Sequence, residues 1–263
     1  MKSLIRLYIL PTLLLFTLSF TGCLDNTGPD PDEDDPITYP HTQNPGLSAN
    51  DFLSDESFTK LEVEIDYMPG VAPDEDALTN LKSFLELRLN KTSVSLMEPT
   101  QIPSSDQSTY TANEIRELEG QYRDHFTQED DSTLRAYMII VDGSYEDGSV
   151  LGIAYYNTSA AFFGGTYEQV SGPALNQPSR SLTESVSFRH EFGHLFGLVN
   201  ISGSGTDMQT DHQDDEHGNH CTNDNCLMYY AMENSGLFDQ FLGEEIPSLD
   251  ENCVADLQAN GGK

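Results

Sequence analysis

Within SLTESVSFRHEFGHLFGL, residues 181–198, two histidines stand four positions apart and a glutamate follows the first. A glycine comes three residues after the second. On a helix, positions i and i+4 share one face, so His190 and His194 can present two imidazoles to one metal ion. Glu191 is rotated by about 100° from His190 at about 3.6 residues per turn. Its carboxylate can then stand beside the ion instead of binding it, as a zinc-activated water with a neighbouring general base requires. Phe192, Leu195, Phe196 and Leu198 supply apolar surface to bury this helix. Ser181 and Glu184 have the spacing of a capping box, and Gly197 sits where a left-handed helix end calls for glycine. Two buried core histidines, or a charged surface pattern, explain this combination poorly.

Two branches of zinc peptidases share such a helix. In the thermolysin-like branch a second helix supplies a glutamate further on, and Asp214, Asp215 and Glu216 fall in the right range. In the metzincin branch the helix ends at a glycine three residues after the second histidine, as at Gly197, and the chain turns to bring in a third. Further along, in HCTNDNCLMYY (residues 220–230), His220, Cys221, Cys226 and Met228 reproduce the spacing H-C-x4-C-x-M. With the helix motif, this resembles the archaemetzincins. The resemblance covers residues 190–197 and 220–228. It implies zinc held by His190, His194 and His220, with Glu191 as the base and Met228 in a tight turn beneath the metal. It also implies a substrate chain lying along an edge strand, for which GIAYYNTSAAFF (residues 152–163) is the candidate. Residues 198–219 are an insertion relative to the family, and of the family's later cysteine pair only Cys253 is near. The insertion carries His212 and His217, which stay open as third ligands beside His220. Asn200 is a weaker fourth candidate, because imidazole suits zinc better than a neutral amide. Tyr230, two residues after Met228, reads as a packing residue, with assistance to an oxyanion as the other option.

The chain begins MKSLIRLYILPTLLLFTLSFTGC: a charged start at Lys2 and Arg6, an apolar run, then small residues before Cys23. This reads as an export signal over residues 1–22. It resembles the lipobox of bacterial lipoproteins, which implies cleavage before Cys23 and lipid on that residue. Residues 23–50 are rich in Asp and Pro and too poor in apolar side chains to offset ordering, so they read as a tether. Residues 51–263 suit one domain with a sizeable core. A formal charge of −32 repels phosphate and argues against nucleic acid as a partner. The expected setting is extracytoplasmic, at the outer membrane or cell surface, with membrane contact through the lipid alone. Of four cysteines, Cys221 and Cys226 could close a tight disulfide loop and leave Cys253 unpaired. A cysteine-based structural metal site lacks its usual fourth cysteine.

KLEVEIDYMPG alternates Leu61, Val63, Ile65 and Tyr67 against Glu62, Glu64 and Asp66, a strand with one buried face. DEDALTNLKSFLELRLNK reads as a helix, TSVSLME as a strand and TANEIRELEGQYRDHF as a second helix. LRAYMIIVDG is a central buried strand, and VLGIAYYNTSAAFFGG holds one or two more before the histidine helix. This order predicts an α/β (α+β) fold with a mixed sheet backed by helices. The family resemblance makes that sheet metzincin-like, twisted and mostly parallel, with a loop-rich C-terminal subdomain after the site helix. The expected function is a zinc-dependent endopeptidase acting on peptide or protein substrates. The competing expectation is a non-catalytic surface lipoprotein, a binding or adhesion domain whose zinc is structural.

Overall fold

The structure, a computed structural model, describes residues 39–128, 131–173, 177–235 and 245–263. The signal segment, Cys23 and the first part of the tether lie outside these residues. Residues 39–50, read from sequence as tether, are folded onto the domain. Tyr39 is buried with its N–H donating to the Thr127 carbonyl, and a short helix α1 (Ala49–Leu53) buries Ala49, Phe52 and Leu53.

Strand β1 (Lys60–Tyr67) lies between β2 (Ser93–Leu96) and β5 (Thr133–Val141), and both pairings are parallel. β8 (Ser159–Phe163) extends the sheet in parallel beside β5, and β7 (Gly152–Tyr156) closes it antiparallel beside β8. The strand order is β2-β1-β5-β8-β7, so β7 is an edge. This is the mixed sheet backed by helices that the order of elements predicts, and it is mostly parallel as the family resemblance implies. Two-residue strands escaped the sequence reading: β3 (Thr100–Gln101) prolongs the pairing along β1, and β4 (Thr109–Tyr110) pairs with β6 (Ser144–Tyr145). Such pieces are too short to show a periodicity.

β5 reads TLRAYMIIV and is buried along nearly its whole length, as a central parallel strand must be. β1 departs from its expected half-burial, because Glu64 and Asp66 are buried along with Val63 and Ile65. Both carboxylates are paired. Glu64 accepts the backbone N–H groups of Asp124 and His125 at 2.8 Å, and Asp66 accepts the Tyr137 hydroxyl at 2.8 Å.

Helix α2 (Glu75–Arg88) starts at Asp74, whose side chain accepts the Asp76 and Ala77 N–H groups. Helix α3 (Ala112–Tyr122) starts with a complete capping box from Thr111 and Glu114. The short α4 (Gly164–Val170) leads from β8 towards α5 (Arg180–Leu195), which carries HEFGH and packs against α2, β7 and β8. The expected capping box of Ser181 and Glu184 does not form. α5 begins two residues earlier, with Ser179 as the cap accepting the Leu182 N–H. Glu184 is buried and instead binds the Asp74 N–H at 2.7 Å and the Arg180 guanidinium, joining α5 to the start of α2. After α5 the described chain is turns and loops, apart from a 3-10 turn at Tyr230–Met232 and a last helix α6 (Glu251–Ala259).

Candidate metal centre

α5 ends where the sequence places its end. Gly197 has φ +86°, the left-handed region open to glycine, and a Cβ there would collide with the Thr206 hydroxyl. The Gly197 N–H donates to the His194 carbonyl and the Leu198 N–H to the Gly193 carbonyl, closing the helix. The chain then turns through residues 198–219 and returns beneath the helix at His220 and Met228.

The structure brings His190, His194 and His220 together, with ring centroids 4.8–5.3 Å apart. Each ring is oriented by a backbone carbonyl at its Nδ1: Leu227 O at 2.8 Å for His190, Leu198 O at 2.8 Å for His194, and His217 O at 2.7 Å for His220. A carbonyl only accepts, so Nδ1 carries a proton in all three rings, and each ring when neutral offers its Nε2 lone pair. Nε2 of His190 and of His220 are buried and have no hydrogen-bond partner. Burial pushes the pKa of His190 down to about 3 and that of His194 down to about 4, and neighbouring imidazoles push the same way. Both rings are therefore neutral, the form in which imidazole binds a metal.

Glu191 is buried with the histidines and lines the cleft beside Ala154 of β7, and its Oε1 has no hydrogen-bond partner. Burial raises its pKa well above the usual carboxylate range, and the nearby Glu233 charge raises it further. Met228 is buried in the turn between Cys226 and Tyr229, its sulfur pressed against Gly193 of α5.

Glu233, which nothing in the sequence singles out, joins the three histidines. Its Oε2 lies 3.4 Å from His220 Nε2 and 3.8 Å from His190 Nε2, and the four donor atoms all fall within 4.8 Å of one another. Against the opposing effect of burial, the Glu233 carboxylate pushes the His220 pKa up, so without an ion a protonated His220 pairs with it; with the rings neutral, the same place suits a cation. Three nitrogens and one oxygen in a buried cradle suit zinc by donor type. The residues present therefore fit the ion. No local spacing announces Glu233. It arrives through long-range pairing of residues 233–235 with 149–151.

The other candidates lie elsewhere. His212 pairs with Asp256 at 2.8 Å and faces the Cys221 sulfur at 3.5 Å. His217 binds Asp214 at 2.7 Å and stacks flat on Tyr230, with centroids 3.5 Å apart, so Tyr230 is a packing residue here. Asn200 donates its side-chain amide to Gln213. The Cys221–Cys226 loop is not closed: Cys221, Cys226 and Cys253 are free and buried, and the Cys226 and Cys253 sulfurs are 3.6 Å apart. His212, Cys221, Asp250 and Cys253 form a second group of possible metal donors within 4.8 Å of one another. His212 and Asp250 thus stand where the sequence reading lacked a fourth cysteine.

A cleft of about 410 Å³ opens over Glu191, His194, His220 and Glu233, walled by Pro45, Ile153, Ala154 and Ile201. No protein-family model matches the chain, and no curated protein matches it. Among solved structures it is similar to archaemetzincin from Methanopyrus kandleri, at 16% identity and a TM-score of 0.49, over 78% of this chain and 96% of that one.

Proposed function

We propose that this chain is a zinc-dependent endopeptidase of metzincin type. The observation that carries the reading is the meeting of three imidazoles, each tied at Nδ1 to a backbone carbonyl, with a buried glutamate whose Oε1 has no partner. His190, His194 and His220 would hold the ion. Zinc supplies a Lewis acid there, able to polarise a carbonyl and acidify water.

The chain's own groups supply the rest. An extended peptide laid along edge strand β7 would cross the cleft at Ile153 and Ala154. The unpartnered Oε1 of Glu191 would take a proton from the attacking water. The same carboxyl can then pass that proton to the leaving amine.

One observation favours a second reading. With Glu233 the site offers four donors, as a closed structural zinc site does, which fits a non-catalytic surface domain. Digestion of a mixed peptide library by the full chain, with and without chelator, separates the two. The peptidase reading expects chelator-sensitive cleavage. It also expects Glu191→Gln to keep its zinc while losing about 10²-fold or more in rate. Absence of chelator-sensitive cleavage would favour the structural reading. Loss of zinc in Glu191→Gln would assign Glu191 to the metal instead of the proton.

A further inference from the structure

The carboxylate of Glu233 differs from the histidines in how it is held. The three imidazoles are buried, and each is clamped by a backbone carbonyl. The Glu233 side chain is 30% exposed and lines the cleft, so it stands on the side from which a substrate would arrive. Around a tetrahedral zinc with bonds of about 2.0–2.1 Å, neighbouring donors stand about 3.3 Å apart. Glu233 Oε2, at 3.4 and 3.8 Å from two of the Nε2 atoms, is close to that spacing.

The backbone that carries Glu233 is laid against the sheet edge just before β7. Leu151 donates its N–H to the Glu233 carbonyl at 2.9 Å, Ser235 donates to Ser149 at 2.7 Å, and Val150 and Asn234 form an antiparallel bridge. The chain thus adds a stub of strand to the edge on which an extended peptide would pair, and that stub delivers a carboxylate to the metal cradle. The pairing is short, and a longer incoming strand can compete with it.

We infer that Glu233 is a removable fourth ligand, a built-in cap that completes the coordination of the metal until a substrate or inhibitor takes its place. The inference rests on the three-histidine centre proposed above and adds to it a cost of entry: whatever binds must displace a carboxylate of the chain itself. The occupant it admits is a chelating or carbonyl-bearing group presented on an extended peptide.

The test compares the full wild-type chain with Glu233→Gln and His220→Ala. Zinc affinity is read by competition with a chromophoric chelator, and acetohydroxamate binding to the zinc-loaded chains by calorimetry. Glutamine has nearly the same shape, and circular dichroism of the metal-free chains checks that all three fold alike. Glu233→Gln should weaken zinc binding about tenfold or more, as expected for loss of a ligand or of its support. It should bind acetohydroxamate about tenfold more tightly, because the competing closed state is gone. His220→Ala should lose more zinc affinity than Glu233→Gln.

If Glu233→Gln matches wild type in both measurements while His220→Ala loses zinc, the cap is overturned and the three-histidine centre stands. Weaker zinc binding with no gain for hydroxamate would mean that Glu233 supports the metal without occupying the position an inhibitor takes. Failure of wild type to bind hydroxamate at all would mean a permanently closed site. Either result overturns a removable cap. Unchanged zinc binding in His220→Ala would overturn the centre itself, and the cap with it.

Discussion

Met228 lies so close to α5 that a methyl group on Gly193 would collide with its sulfur. Gly193 stands between Glu191 and His194, so the closeness of this contact sets how near the Met228 turn comes to the metal cradle. Within a helix, glycine costs about 1 kcal/mol relative to alanine, so Gly193→Ala would ordinarily stabilise. Here overpacking of about 1–3 kcal/mol opposes that gain and outweighs it. Gly193→Ala should therefore lower the urea midpoint, and adding Met228→Ala should remove the penalty that the first change carries. A higher midpoint for Gly193→Ala alone would mean the turn does not press on the helix. At this scale His190, Glu191, His194 and Gly197 were legible, because their spacing along one helix is itself the signal. His220 was singled out among four candidates only through a resemblance. Glu233 was invisible, since a lone glutamate in a loop has no period to betray it.

Among elements, α5 and β5 were legible because each is long and strongly patterned. The start of α5 was misplaced because Ser179 and Ser181 both suit a cap, and Glu184 was drawn away by the Asp74 N–H. β1 was misread for a related reason. Alternating Glu64 and Asp66 look like a solvent face, but Asp124 and His125, following α3, cover that face and satisfy Glu64. Asp66 retains a pH signature of this burial. Burial pushes its pKa up to about 6, although the Tyr137 hydroxyl bond works the other way. A raised folded pKa means that its stabilising contribution is whole below the unfolded value of about 3.9 and is lost as pH rises through about 6. Asp66→Asn keeps an acceptor for Tyr137 and removes the burial of charge. It should be more stable than wild type by about 2–3 kcal/mol near pH 8, with little difference near pH 4. Urea unfolding at both pH values checks this, and an equal gain at both would show that Asp66 does not titrate as burial dictates.

Across the whole molecule, the sheet presents edge strand β7 to a cleft whose floor is α5 and whose far wall is the returning loop at His220 and Glu233. The loop side was the least legible in sequence, because residues 198–219 follow no period and their placement depends on contacts distant along the chain. Residues 39–50, ahead of the first strand, contribute as well, with Pro45 lining the cleft. No helix among the described residues is long and apolar enough to cross a membrane. The proposed function requires that one ion sit among three imidazoles. Diffraction from zinc-grown crystals of the full chain, recorded above and below the zinc absorption edge, tests that directly. The expected result is an anomalous peak bonded to Nε2 of His190, His194 and His220, with Glu191 beside it and unbonded. A map with no peak there, or one bonded to Glu191, would contradict it.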